Sequence, residues 1–367
     1  MNTNVAPFAD PCLAHWVERV RNAAVEHRPL RLRGSGSKDF YGQSLAGELF
    51  DTREYAGLVA YEPTELVVTA RCGTPLAELE ATLADQGQAL AFEPPHFGPN
   101  ATVGGCVASG LAGPRRAKAG AVRDFVLGVR MLDGHGHVLN FGGQVMKNVA
   151  GYDVPRLLAG SLGTLGLILE VSLKVMPLAL TEKTLRFELA QDKALAVLNQ
   201  WGGLPLPVSA SAWVENVLSV RLSGSPTAVN AAASKLGGDP VVTDEASAFW
   251  LSLREQSHTF FTSSTALWRV AVPSTSAVLD LPGTQLVEWG GVQRWLHAEI
   301  IEDSQRIRRV ATQAGGHATL FRADATEKAA IGVFHPLTEP LARIHLRLKS
   351  AFDAPGIFNP GRMYSEF

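Results

Sequence analysis

"RLRGSGSKDFYGQ", residues 31–43, sets Gly34, Gly36 and Gly42 among serines and charges directly behind an Arg-Leu-Arg lead-in. Backbone N–H groups exposed in so glycine-rich a turn form a concavity suited to an anion, so the stretch points to a phosphate chain. The fold that presents it is narrowed by what is missing. A Rossmann loop requires the third glycine of G-x-G-x-x-G between a strand and a helix. Here Gly34-x-Gly36 runs on into Asp39, Phe40 and Tyr41 instead. No G-x-x-x-x-G-K-[ST] occurs either, which excludes a P-loop.

Outside that loop the chain reads as an ordinary globular protein. Its 367 residues suffice for two domains with their own cores, and 46% hydrophobic against 19% charged residues leaves no signature of disorder. A formal net charge of −2 argues against charge-driven nucleic-acid binding. Residues 1–23 show no basic-then-apolar leader and read as an amphipathic helix behind a short polar arm. No run approaches the ~20 apolar residues of a membrane span, so any membrane contact is expected to be indirect. Cys12, Cys72 and Cys106 lie far apart with no CxxC pair. That spacing excludes a disulfide framework or an iron–sulfur site of its own and fits a reducing, cytoplasmic setting.

Residues 28–178 alternate short apolar runs with Gly/Pro turns (RPLRLRG, GLVAYEP, ELVVTARCG, LGLILEVSLKVMP), the pattern of buried strands. "TPLAELEATLADQGQAL" (74–90) interrupts them as a helix with Thr74 as N-cap, Pro75 in first position and Gly87 at its end. "MLDGHGHVLNF" (131–141) reads as a hairpin turning at Asp133-Gly134, and its His135-x-His137 pair as a solvated tip without further ligands. After "KVMPLALTEK" (174–183) the texture changes: residues 184–330 hold six of the seven tryptophans in alternating strands and helices. The reading is α+β with three parts. Residues 1–178 form the first domain, 179–335 an α+β cap domain, and 336–367 a helix and a Pro/Gly hook returning to the first domain.

Two further glycine-rich stretches follow the first in a fixed order. "NATVGGCVASGLAGPRR" (100–116) leads into "VRDFVLGVRML" (122–132), and "KNVAGYDVPRLLAGSLGTLGLILEVSLKV" (147–175) precedes the tail "FDAPGIFNPGRMY" (352–364). Together they resemble the FAD-binding domain of the vanillyl-alcohol oxidase and para-cresol methylhydroxylase (PCMH) type, and within it the FAD-binding accessory subunits of bacterial glycolate oxidases. The resemblance covers nearly the whole chain. It implies a two-part PCMH-type FAD-binding domain, a cap, and a C-terminal return beside the flavin.

Carried over residue by residue, it implies that Arg33, Gly34, Ser35, Gly36, Ser37, Lys38 and Asp39 hold the FAD pyrophosphate. Thr102, Val103, Gly104, Gly105, Ser109 and Gly110 would line the other flank and the ribityl chain. Val122, Arg123, Asp124 and Val126 would run along the isoalloxazine, Gly163, Gly166 and Ile168 would meet the adenine half, and Asn359 would stand near the ring. Relatives with covalent flavin carry histidine where Ser37 stands, so non-covalent FAD is expected. Cys106 reads first as a small buried apolar residue, with a thiol link or redox thiol as the alternative.

The family's dehydrogenases place paired histidines in the cap. Here "GGHATLFRADA" (315–325) offers His317 alone, so no metal is carried over. Arg269 and Arg322 are the cations available to a substrate carboxylate, with His317 as the third candidate. The basic cluster Arg115, Arg116, Lys118 and Arg123 is either a solvated loop or a surface for an acidic partner. The function implied is the FAD subunit of a glycolate-oxidising (D-2-hydroxy-acid) complex, working beside a catalytic FAD subunit and an iron–sulfur subunit, with glycolate or D-lactate as substrate. A self-sufficient dehydrogenase and a structural subunit are the alternatives.

Overall fold

A computed structural model describes residues 10–143, 152–298 and 300–366. The segment 147–151, included above in the third glycine-rich stretch, lies outside them.

The chain opens with the helix Pro11–Val25, started by Asp10, whose carboxylate accepts from Cys12 N and Leu13 N. Its apolar face, including Trp16, Val17 and Val20, packs into the first core. Leu30–Arg33 pairs in parallel with Glu48–Asp51, and the glycine loop leaves the end of that strand. A five-stranded antiparallel sheet follows, in the order Leu58–Glu62, Val67–Arg71, Leu167–Lys174, Val126–Leu132, Val138–Gly142. One core joins the first helix, the small parallel pair and this sheet.

An eight-stranded antiparallel sheet forms the second half, in the order Asp239–Val241, Thr181–Glu188, Val217–Gly224, Val208–Val214, Gln285–Glu288, Gln293–His297, Leu267–Ala271, His317–Arg322. Trp268, Val270 and Leu296 point to one side, into a core with Ile307 and Ala311 of the helix Ile300–Gln313. Trp295 and Phe321 point to the other, against Tyr41 and Leu111 of the first half. The strand-rich first half and α+β second half agree with the fold class read above.

The helix Glu339–Phe352 brings the tail back. Lys349 Nζ donates to Asp353 Oδ2 (2.6 Å), Thr164 O and Phe358 O (both 2.8 Å), all buried. Leu30 N donates to Ile357 O, and Asn359 N to Leu30 O, so the hook adds to the edge of the parallel pair.

Two local expectations change. Pro75, not Thr74, occupies the N-cap of the helix Leu76–Ala84. The Thr74 hydroxyl is spent on Gly57, accepting from its N–H (2.9 Å) and donating to its carbonyl (3.1 Å). The hairpin turn is longer than Asp133-Gly134: Asp133 Oδ1 accepts from His135 N and His137 N, which closes residues 133–137. No helix among the described residues is long and apolar enough to cross a membrane.

Candidate functional site

The first glycine loop folds as an anion cradle. Gly36 sits at φ +82°, a left-handed conformation open to glycine, and its carbonyl accepts from Asp39 N (3.0 Å). Ser37 N is held by Ser35 Oγ (3.3 Å), while the amides of Ser35, Gly36 and Lys38 donate to no other group among the described residues. Arg31 and Arg33 both reach Asp39 Oδ2, at 2.7 and 2.9 Å. Among the described residues Lys38 has no carboxylate within ion-pair distance. Its Nζ donates to His96 O (3.2 Å), and burial lowers its pKa.

From the tail, Arg362 clamps the loop, donating to Asp39 O (2.9 Å), Gln43 O (2.5 Å) and Tyr41 O. Burial pushes its pKa down to about 10. The cradle encloses ≈ 90 Å³, and its lining sets Arg33, Lys38 and Arg362 against one carboxylate, Asp39. Free amides and uncompensated cations in one concavity suit a diphosphate.

The second loop meets the first at Thr102, which caps the helix Val103–Ser109 by accepting from Gly105 N (3.2 Å). A Cβ on Gly34 would stand 2.3 Å from Thr102 Oγ1, so only glycine allows this approach. Gly105 and Ser109 share the cradle lining with residues 33–39 and Asn359. Val103 and Gly104 do not. Their amides donate to Thr74 O (2.9 Å) and Cys72 O (2.8 Å), which turns both toward the core.

Asn359 lines the cradle as a clasp: Oδ1 accepts from Leu32 N (2.8 Å) and Nδ2 donates to Leu162 O (2.7 Å). Gly163 packs under that amide. Val122, Val126 and Ile168 are buried in the first core, and Gly166 packs on Met131 and Leu132. Arg123 and Asp124 line a separate cleft beside Trp289, where Asp124 also accepts from Ala121 N (2.8 Å).

Past the second loop, Gly110 and Ala112 face the eight-stranded sheet across a cavity of ≈ 400 Å³. Arg116, Arg269, Gln293 and His317 line it, and no carboxylate does. The Arg116 guanidinium lies 4.5 Å over Trp289, and Arg269 Nη2 donates to Tyr41 Oη (2.9 Å). Neither arginine forms an ion pair among the described residues. Partial burial, followed by Arg269, His335 and Arg116, lowers the His317 pKa.

Arg322 is not brought to this cavity. Its guanidinium stacks over Phe40 (4.6 Å) and Phe97 (5.3 Å), pinning the first loop to the sheet. Within the basic cluster only Arg116 lines the cavity. Arg115 is committed to Glu93 and Glu182. Arg362 and Gln293 are not among the site residues expected from the sequence; Arg362 directly follows the hook "FNPG", which is the signal it carries.

A family described as an FAD binding domain matches residues 13–142. The glycolate oxidase subunit GlcE of Escherichia coli (strain K12) is 49% identical over 350 residues, covering 95% of this chain and 97% of that one. The glycolate oxidase subunit GlcD of Bacillus subtilis (strain 168) is 31% identical over 173 residues, 46% of this chain and 36% of the other. The D-lactate dehydrogenase of Archaeoglobus fulgidus is 34% identical over 155 residues, 41% of this chain and 33% of the other. The chain thus matches about a third of the length of these last two. An alkyldihydroxyacetonephosphate synthase structure aligns with a TM-score of 0.65 over 94% of this chain and 73% of its own, at 15% identity, which shows the fold alone.

Proposed function

We propose, from the premise that the chain belongs to the family of FAD-binding glycolate oxidase subunits, that it binds FAD without a covalent bond as a subunit of a complex that oxidises a small 2-hydroxy acid, glycolate to glyoxylate. FAD, when bound, supplies the acceptor for the two electrons and the carbon-bound hydrogen. The amides of Ser35, Gly36 and Lys38, with Lys38 and Arg362, hold its diphosphate. Thr102, Gly105, Ser109 and Asn359 close the other flank. Ser37, in place of a linking histidine, leaves the flavin free to dissociate.

The observation that carries the substrate reading is the cavity between Gly110 and the eight-stranded sheet. Arg116 and Arg269 line it with no carboxylate to neutralise them. Two half-buried arginines suit the carboxylate of a 2-hydroxy acid, and His317 beside them adds a hydrogen-bonding group.

The physiological unit is the complex. The chain has no cluster cysteines, so electrons leave through an iron–sulfur subunit, with a catalytic FAD subunit as the third member and the cytoplasm as the location. Within the chain, residues 1–178, 179–335 and 336–367 act as flavin domain, cap and flavin-side return. The arginine-lined cavity also favours a second reading, in which this chain's own flavin is reduced by the acid directly.

One experiment tests the set. The purified chain is examined for the two-band flavin spectrum, acid-precipitated to see whether FAD stays in solution, and mixed anaerobically with glycolate alone and with its partner subunits. Flavin bleached only in the complex supports the relay reading, and rapid bleaching of the chain alone supports the second. A colourless folded chain, or flavin retained on the denatured protein, overturns the cofactor assignment or its non-covalent form.

A further inference from the structure

The site above supplies two cations, and its one proton acceptor, His317, is opposed by both. When a 2-hydroxy acid is oxidised, the C–H hydrogen leaves with its electron pair to FAD, the C–O bond becomes C=O, and the O–H bond breaks. The hydroxyl proton needs a base. Among the residues lining the ≈ 400 Å³ cavity there is no acid, and His317 stands beside two arginines that oppose its protonation.

The adjoining cavity supplies one. It measures ≈ 20 Å³ and shares Ala112, Arg269 and Gln293 with its neighbour, and Glu288 is the single carboxylate lining either. Strand register puts these groups on one face. Glu288 pairs with Gln293, Trp295 with Arg269, and Ala271 with His317, so Glu288, Gln293, Arg269 and His317 all point toward the second loop.

Glu288 is 4% exposed. Its Oε2 accepts from Trp295 Nε1 (2.6 Å) and Gln293 Nε2 (3.0 Å), both neutral donors, and it forms no ion pair among the described residues. Gln256 lines the same small cavity with a buried Oε1 that has no donor. A single water requires about 10–15 Å³ and two or more polar partners, which this cavity provides.

We propose that Glu288 is the acceptor of the substrate's hydroxyl proton, taking it through a water in the small cavity beside Arg269 and Gln293 rather than by touching the substrate. The proposal rests on the anion-pocket reading given above and on the second reading, in which the acid reduces this chain's own flavin. Burial pushes the Glu288 carboxyl up to about 7, and the hydrogen bonds from Trp295 and Gln293 oppose that rise. The charged groups facing it are Arg269 from the neighbouring strands, Arg254 from the helix Thr243–Arg254, and Glu93 from the loop below, the last raising it further. A base poised near neutral pH is matched to proton transfer in water at that pH.

Oxalate, which resembles glycolate in size and cannot be oxidised in its place, serves as the probe. Calorimetry of FAD-loaded protein at pH 7 in buffers of different ionisation enthalpy reads the protons taken up with the anion. Wild type should take up as much as ~0.5 proton per oxalate, because the bound anion raises a group that is half protonated. Glu288→Gln should take up none, and Glu288→Asp and His317→Gln should retain uptake. In the complex, flavin reduction by glycolate should show an inflection near pH 7. Glu288→Gln should lose that inflection and ~10²-fold or more of the rate, with flavin content kept.

Oxalate bound by Glu288→Gln with uptake unchanged, or an inflection that disappears with His317 instead, overturns the proposal alone. Oxalate not bound by wild type overturns the anion pocket and the proposal with it.

Discussion

Gly34→Ala tests whether the two glycine loops form one cradle. Gly34 does not adopt a positive φ, so alanine brings no backbone strain and the substitution isolates a steric effect. The new methyl would stand 2.3 Å from Thr102 Oγ1 and 3.3 Å from Thr102 Cβ and Cγ2. Ordinary contact lies near 3.5 Å, so the loops must part by ~1 Å. Thr102 is not free to turn away, because its Oγ1 caps the helix by accepting from Gly105 N. Overpacking of this kind costs about 1–3 kcal/mol. If ~2 kcal/mol of that falls on the cofactor-bound state, FAD affinity drops ~30-fold. The assay is titration of apoprotein with FAD, read by quenching of flavin fluorescence, with thermal unfolding of the apoprotein as the fold control. Thr102→Ala removes Oγ1 and Cγ2 and leaves only Cβ at 3.3 Å, but it also removes the cap, worth ~1 kcal/mol. The double variant should therefore fall short of the summed losses by ~1 kcal/mol or more. Wild-type affinity in Gly34→Ala, or additivity within ~0.3 kcal/mol, would refute the contact between the loops.

Gly105→Glu should reduce bound FAD to traces with the fold intact, because its Cβ meets only Thr102 Oγ1 (3.1 Å) and the added carboxylate enters the cradle; far-UV circular dichroism and flavin absorbance check both halves. Glu93→Gln should lower stability by ~3 kcal/mol in calorimetry, since it leaves buried Arg221 without its anion. Burial alone would raise the Glu93 carboxyl, but Arg221 and Arg115 hold it below its ordinary 4.5. Its contribution is therefore complete above that value and lost as pH falls through the lowered one, so wild type should lose more stability on acidification than Glu93→Gln. Lys349→Met should cost ~3–5 kcal/mol, because Asp353 is left buried and unpaired; a chain whose melting temperature is unchanged would mean that the tail is not anchored there.

How much of this was legible depends on the distance over which each feature is decided. Gly34 and Gly36 could be read from a span of a few residues, because a turn that exposes amides needs glycine locally. Val103 and Gly104 could not. Which side of a seven-residue helix faces the cradle is decided by Thr74 O and Cys72 O, some thirty positions earlier, which capture their amides. Asn359 was placed at the site, but its work as a clasp depends on Leu32 and Leu162 meeting there. Arg322 and Arg269 looked alike in sequence, each an arginine behind an aromatic residue. Three phenylalanine rings occupy the first, and the second keeps a face on the cavity.

Glu288 was invisible for a related reason, and the same reason explains why the cap can serve a site at all. In a strand, neighbours point to opposite faces, so a one-residue slip exchanges the whole set. Trp268 and Val270, on either side of Arg269, are fully buried in the core with Ile307 and Ala311. Their burial fixes the register of Leu267–Ala271, and Arg269 must then face the second loop. Leu296 is buried in the same core and holds Gln293–His297 in place, which sets Gln293 and Trp295 on Arg269's face and gives Glu288 its two donors. The polar groups of the cavity are thus oriented by apolar residues on the far side of the sheet. Emptying that far core at Trp268, Val270 or Leu296 would disturb the cavity without touching any residue that lines it.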